Sequence, residues 1–280
     1  MIKPITIGSL FSGIGGFELG IERGIPGSTT IWQVEQDPFC RSILKKHWPG
    51  AQLHEDVRTV GKHNLVSVDV LCGGFPCQNI SIAGKREGIN EGEKSSLWWE
   101  FRRIIGELRP RIVVIENVSA ITFSDGGGWD LLGSLAQIGY DAEWIDLRAS
   151  DFGAPHRRER IFFVAYPDTS IKHGLPIDAK APGAPGIVGD VADPAITCSE
   201  KHTGRVVSLE TEIGSKCRSR QNGGVHRENY WEGFPVEPPF CLRDDGVPNR
   251  VARLRALGNS IVPQCSEWIG MRILESGLLQ

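Results

Sequence analysis

A cysteine set in a loop shaped by glycine and proline, Gly73-Gly74-Phe75-Pro76-Cys77-Gln78, follows directly on the apolar run Val68 to Cys72. Where parallel strands build a sheet, chemistry gathers just past their carboxyl ends, and a thiol placed there can serve as a nucleophile. An arbitrary cysteine is more often a small buried apolar residue, and Cys72 reads that way. Two further groups emerge at strand ends and favour chemistry for Cys77. Glu116 closes another apolar run in Glu116-Asn117-Val118, and the basic cluster Pro155-His156-Arg157-Arg158-Glu159-Arg160 precedes a third.

A second set of residues has the pattern of a nucleoside pocket. The first apolar run ends in Phe11-Ser12-Gly13-Ile14-Gly15-Gly16-Phe17 and passes into a helix-compatible stretch. Glycines at that place let the backbone approach a ligand closely, and the following helix offers its positive end. This is not the GxGxxG dinucleotide pattern, and such a turn alone is often only a tight connection. Glu35 ends the second strand about 20 residues later, where an acid in this architecture receives ribose hydroxyls. Asp56, before Val57, ends the next and is placed to accept from an exocyclic amine.

The elements that must position these groups alternate in an α/β rhythm. Strand-like runs occupy Ile5 to Phe11, Thr30 to Glu35, Val68 to Cys72, Arg111 to Glu116, Ala142 to Leu147 and Arg160 to Tyr166. Between them, Leu97, Phe101, Ile104, Ile105 and Leu108 recur on one helical face, after Ser95 and Ser96 as potential caps and before Pro110 as a stop. A second helix runs from Trp129 to Ile138 and stops at Gly139. The pattern predicts a doubly wound sheet over residues 1–166, completed by 251–280 with a helix from Ser266 to Leu274. Residues 167–250 lose the alternation, being rich in Pro, Gly, Ser and charge. Within them, Lys201, Arg205, Lys216, Arg218, Arg220 and Arg227 face only Glu210 and Glu212 across 201–227.

The composition is that of an ordinary globular protein: 280 residues, 40% hydrophobic, 23% charged and a net charge of -3 exclude disorder, collagen and coiled coil as descriptions of the whole. No apolar run approaches the ~18 residues of a membrane span, so a cytoplasmic protein is expected. The seven cysteines include no CxxC pair, so neither a disulfide framework nor a metal site is expected.

Taken in chain order, these motifs resemble those of the DNA (cytosine-5)-methyltransferases of bacterial or phage type. Phe11 to Gly16 matches the cofactor loop, with Phe11, Gly13, Gly15 and Gly16 as contacts. Glu35, Asp56 and Val57 match the ribose and adenine contacts, and Gly74-Phe75-Pro76-Cys77-Gln78 the Pro-Cys loop. Glu116-Asn117-Val118 matches the Glu-Asn-Val motif, Arg158-Glu159-Arg160 the Arg-x-Arg motif, and Gly258-Asn259-Ser260 with Val262-Pro263 the closing motif, which returns to the cofactor pocket. The resemblance implies a Rossmann-like sheet that binds S-adenosylmethionine and releases S-adenosylhomocysteine, with 167–250 as target recognition domain. It implies that Cys77 attacks carbon 6 of a flipped-out cytosine, Glu116 holds or protonates ring N3, and Arg160 holds the carbonyl oxygen. Arg158 supports the nucleophile loop, and the Phe75 carbonyl accepts from the amino group. The chain departs from the family's pattern at His156, often Gln, and in a thin version of the motif at Arg250 to Leu254.

The expected partner is double-stranded DNA, with Arg205, Arg218, Arg220 and Arg227 as candidate phosphate or base contacts and solvated charge as the plainer reading of each. A functional partner restriction endonuclease and a monomeric state are also expected. A relative acting on transfer RNA cytosine uses the same motifs, although Gln78 and the long variable segment favour DNA. A nicotinamide-dependent oxidoreductase would use the glycine turn and Glu35 but leave Cys77, Glu116 and Arg158 to Arg160 without roles. A non-catalytic DNA-binding relative is expected to have a broken Cys or Glu motif, and both are intact.

Overall fold

A computed structural model of the chain describes residues 4–76, 96–119, 121, 127–168, 188–190 and 250–280. Among the described residues eight strands form one sheet: β1 (Thr6–Leu10), β2 (Thr29–Val34), β3 (Gln52–His54), β4 (Val70–Gly74), β5 (Ile112–Val118), β6 (Tyr140–Arg148), β7 (Glu159–Pro167) and β8 (Val188–Asp190). Their order is β3-β2-β1-β4-β5-β7-β6-β8. Neighbours from β3 to β5 pair in parallel, whereas β7 runs antiparallel to both β5 and β6. That reversed strand separates the sheet from the all-parallel 3-2-1-4-5-6 order of the dinucleotide fold, and so from the oxidoreductase alternative.

The central strands are buried on both faces, which is why Val70 to Cys72 and Ile112 to Ile115 are continuous apolar runs. One face packs on α3 (Ser96–Leu108) and α4 (Gly128–Ala136), through Phe101, Ile104, Leu131 and Leu135 against Leu71, Val113 and Phe163. At the end of α3, Arg109 turns left-handed at φ 51 and Pro110 prevents continuation. The other face packs on α1 (Gly16–Gly24) and α6 (Pro263–Glu275), through Phe17, Ile21, Trp268 and Ile269 against Ile7, Val114 and Phe162. The two helices meet backbone to backbone. A Cβ at Gly20 would run into the Pro263 carbonyl and Ser266 Oγ, and one at Gly24 into the Glu267 carbonyl.

Among the elements not expected are α5 (Arg250–Asn259) and two others. Helix α2 (Pro38–His47) starts where Asp37 accepts from the backbone amides of Phe39 and Cys40, with Pro38 in the first turn, a start signal present in the sequence. Strand β8 pairs with β6 from inside 167–250, where the sequence shows no alternation. Strand β3 ends at His54, two residues before Asp56, and a short 3-10 turn over Val57–Thr59 follows.

Candidate active site and cofactor cleft

The turn after β1 is built from left-handed backbone at Phe11 (φ 55), Gly13 (φ 56) and Gly15 (φ 88). Phe11 is unusual in that region, because its Cβ makes the conformation costly, by roughly 1–2 kcal/mol. The turn is anchored rather than loose. Ser12 N donates to the Val34 carbonyl, and Gly13 N donates to Glu35 Oε2 at 2.7 Å. Beneath Gly15 the Trp48 indole occupies the space a side chain would need, and its Nε1 donates to the Glu22 carboxylate of α1 at 3.1 Å. Trp48 and Glu22 therefore floor the glycine turn, a contact no local pattern announces.

A cleft opens above this turn, lined by Phe11, Gly13, Glu35, Asp56, Val57 and Asn259 among others. Six of the nine expected cofactor residues thus converge on one cavity. Gly15, Gly16 and Ser260 sit behind it: a Cβ on Gly16 would lie 2.5 Å from the Ile261 carbonyl and 3.1 Å from Ser260 Oγ. Around Gly13 a Cβ would meet nothing within 4 Å, so the turn faces open space. Glu35 Oε1 accepts from Asp37 N, and Asp56 Oδ1 from Arg58 N, which leaves lone pairs on both carboxylates. Open backbone, two carboxylates for hydroxyls and an amine, and the apolar Val57 fit a nucleoside. Gly74 and Pro76 line the same cleft, so the Pro-Cys loop begins at its wall.

Glu116 stands at the rim, paired in register with Gly74 of β4. Its Oε1 meets Arg160 Nε at 3.0 Å. Burial pushes its carboxyl up to about 7, despite the opposing pull of Arg160 and Arg158. Arg158 (φ 32) donates through Nη2 to the carbonyls of Gly258, at 2.9 Å, and Ser260. Its described bonds thus clamp the segment around Asn259, which lines the cleft. The expected support of the loop around Cys77 lies outside the described residues. Desolvation and the neighbouring Arg160 lower the Arg158 guanidinium below its ordinary value.

Asn117, given no role from the sequence, is buried and donates through Nδ2 to the Phe75 carbonyl at 3.3 Å. Its Oδ1 accepts from Val118 N at 2.8 Å. The Phe75 ring packs against Trp98 of α3 with centroids 5.4 Å apart. The chain entering the Pro-Cys loop is therefore held from β5 and from α3. Cys77 and Gln78 lie outside the described residues, as do Arg205, Arg218, Arg220, Arg227 and nearly all of 167–250. Among the described residues no helix is long and apolar enough to cross a membrane.

The family model described as C-5 cytosine-specific DNA methylase matches residues 5–233. The chain belongs to this family. A type II methyltransferase of Neisseria gonorrhoeae, M.NgoBI, is 35% identical over 161 residues, covering 57% of this chain and 50% of its own. M2.BsuMI of Bacillus subtilis is 37% identical over 163 residues, covering 56% of this chain and 41% of its own. The chain thus spans about half the length of the curated relatives it matches. Its fold is similar to that of the S. pombe Dnmt2 methyltransferase, with TM-score 0.52 and 20% identity over 62% of this chain and 54% of that one. The Entamoeba histolytica methyltransferase EhMeth gives TM-score 0.51 and 23% identity over 62% and 56%. The sheet is therefore the Rossmann-like sheet of the methyltransferases, and family membership implies S-adenosylmethionine as methyl donor.

Proposed function

We propose that the chain transfers a methyl group from S-adenosylmethionine to carbon 5 of a cytosine in a specific sequence of double-stranded DNA. The observation that carries this reading is Glu116: a largely buried carboxyl pushed up to about 7, touching Arg160, one strand from the Phe75-Pro76 entry to Cys77. A group that is half protonated near neutrality can give a proton to a ring nitrogen and take it back.

The cleft residues suit the cofactor. Glu35 would receive the ribose hydroxyls, Asp56 and Val57 the adenine, and Asn259 and the Ser260 segment would close over the methionine end. When bound, S-adenosylmethionine supplies an electrophilic methyl group. Cytosine carbon 5 is too weak a nucleophile to take it directly, so Cys77 as thiolate adds to carbon 6 while Glu116 gives its proton to N3. The electron pair then available at carbon 5 accepts the methyl as its bond to sulfur breaks, and S-adenosylhomocysteine would be the leaving group. Loss of the carbon 5 proton to a base and expulsion of the Cys77 thiolate restore the aromatic ring, and Glu116 recovers the N3 proton. Arg160 would hold the carbonyl oxygen. The Phe75 carbonyl keeps a second lone pair for the amino group beside its bond from Asn117.

None of these atoms can reach a base inside a stacked duplex, so the cytosine must leave the helix, at a cost of a few kcal/mol. Residues 167–250 would form the target recognition domain, with the catalytic domain made of 1–166 and 251–280. Arg205, Arg218, Arg220 and Arg227 would contact DNA. The type II names of the relatives support pairing with a restriction endonuclease, and we take the enzyme to act as a monomer in the cytoplasm. The test is bisulfite sequencing of plasmid DNA from cells expressing the chain, beside the transfer RNA pool of the same cells. Protected cytosines at one short DNA sequence support the proposal. Protection in transfer RNA only moves the activity to RNA, and protection in neither removes it.

A further inference from the structure

Helix α3 carries a row of charge, Glu100, Arg103 and Glu107, at the three- and four-residue spacing that sets side chains side by side on a helix. Such a row is ordinarily solvated surface. Here it is turned onto the segment that follows β3. Arg103 Nη2 donates to the Val60 carbonyl at 2.8 Å and to the Val57 carbonyl at 3.3 Å. Glu100 accepts from its Nε and Glu107 from its Nη1, both at 2.8 Å. Glu107 also accepts from Lys62 N at 2.9 Å, and a Cβ on Gly61 would run into the same carboxylate.

The two carbonyls stand at the start of the 3-10 turn that Asp56 caps and just past its end. Asp56 Oδ1 accepts from Arg58 N at 2.9 Å, and the Asp56 carbonyl accepts from Thr59 N at 3.1 Å and Thr59 Oγ1 at 2.8 Å. Those bonds give the turn its shape, but a turn held only by its own bonds could still shift as a body. Arg103 fixes where it stands against α3. Asp56 and Val57 line the cleft, as does Leu97 of α3, whereas Arg103 is not among the lining residues. It therefore acts on the cleft from behind, through the backbone of the turn.

We infer that Arg103 is a positioning residue for the cofactor's base: by holding the Val57 and Val60 carbonyls it places the Asp56 carboxylate where that group receives the exocyclic amine of adenine. The inference rests on the cofactor reading of the cleft. A carboxylate selects an amine only from within hydrogen-bond distance and direction, and such a bond weakens steeply with misalignment. The guanidinium suits the task because its planar fork, seated between two carboxylates, presents its N–H donors in one fixed direction. Glu35, by contrast, is held by Gly13 N and Asp37 N, with no bond to this turn. Arg103 thus governs which base the cleft prefers more than how it holds the ribose.

Calorimetric titration of the whole chain with S-adenosylhomocysteine and with its purine analogue, in which hydrogen replaces the exocyclic amine, tests this. The parent is expected to prefer the adenine ligand by about tenfold or more. Arg103→Met should bring the two ligands to within about threefold of each other, chiefly by weakening the adenine one. Arg103→Lys keeps the charge between Glu100 and Glu107 without the fork, and should retain part of the preference; it decides the matter if the methionine variant does not fold. Equal losses for both ligands would mean that the substitution only loosens the fold, and would overturn the inference. So would a preference unchanged in both variants, or a parent that binds both ligands alike. If the parent binds neither ligand, the cofactor reading itself fails, and the two failures are thereby told apart.

Discussion

Gly74 and Glu116 face each other across β4 and β5 so closely that a Cβ on residue 74 would lie 2.6 Å from Glu116 Oε2. The glycine of the Pro-Cys loop thus serves a group on another strand. It leaves the pocket in which one carboxyl oxygen sits while the other meets Arg160.

Gly74→Ala should therefore push the Glu116 carboxyl from its seat. The expected result is a fall in single-turnover methyl transfer of about tenfold or more, with little loss of stability, because the atom that must move is the end of a side chain. Methyl transfer at the original rate would show that Glu116 tolerates the shift or takes no part.

Glu116 also makes a pH prediction. Its folded value of about 7 lies above the ordinary 4.5, so the folded state holds the proton more tightly than the unfolded chain. The associated stability is fully present below about pH 4.5 and is lost as pH rises through about 7. Relative to Glu116→Gln, which does not titrate, the wild type should lose about 3 kcal/mol between pH 4 and pH 8. Urea denaturation of both proteins across that range measures it, and parallel curves would place the carboxyl in water. In the reaction, the same titration should give wild-type methyl transfer a declining limb near pH 7 that the glutamine variant lacks.

Asn117→Ala removes the bond to the Phe75 carbonyl and leaves that buried acceptor unmatched. A stability loss of about 1–3 kcal/mol is expected, together with a lower turnover at saturating cofactor, because the entry to the Pro-Cys loop is no longer fixed. A variant as stable and as fast as the parent would leave Asn117 without a positioning role.

The α1–α6 contact gives a packing prediction. Gly20→Ala would drive a methyl group into the Pro263 carbonyl and Ser266 Oγ. Backbone cannot yield as a side chain does, so a loss of about 2 kcal/mol or more is expected, with weaker cofactor binding because α6 carries the closing segment. Thermal melts with and without S-adenosylmethionine read both effects.

Much of this was legible in the sequence, for physical reasons that differ by element. Strands β4 and β5 are central and buried on both faces, so their unbroken apolar runs are diagnostic, and α3 shows its buried face by spacing alone. The residues that line the cleft were legible because a glycine turn and an acid at the end of β2 are fixed by local geometry. What was missed depends on contacts between distant segments. Asn117 reaches Phe75 only through the β4–β5 register, Trp48 reaches Gly15 from the far end of α2, and Arg158 meets carbonyls a hundred residues later. Helix α2 is a different case, since Asp37-Pro38 announces it. Strand β8 is too short for any periodicity to show.

The central claim, that Cys77 attacks the cytosine ring, is tested most directly on DNA in which 5-fluorocytosine replaces cytosine. Fluorine at carbon 5 cannot leave as the proton does, so the ring stays bonded to its nucleophile after methyl transfer. Plasmid-length DNA of this kind, incubated with the chain and S-adenosylmethionine, should give a protein–DNA adduct that survives denaturation. Digestion and mass spectrometry should find the methylated fluorocytosine on the peptide containing Cys77, and Cys77→Ser should give none. An adduct on another residue, or cytosine methylation of ordinary DNA with no adduct on the fluorinated DNA, would contradict the account.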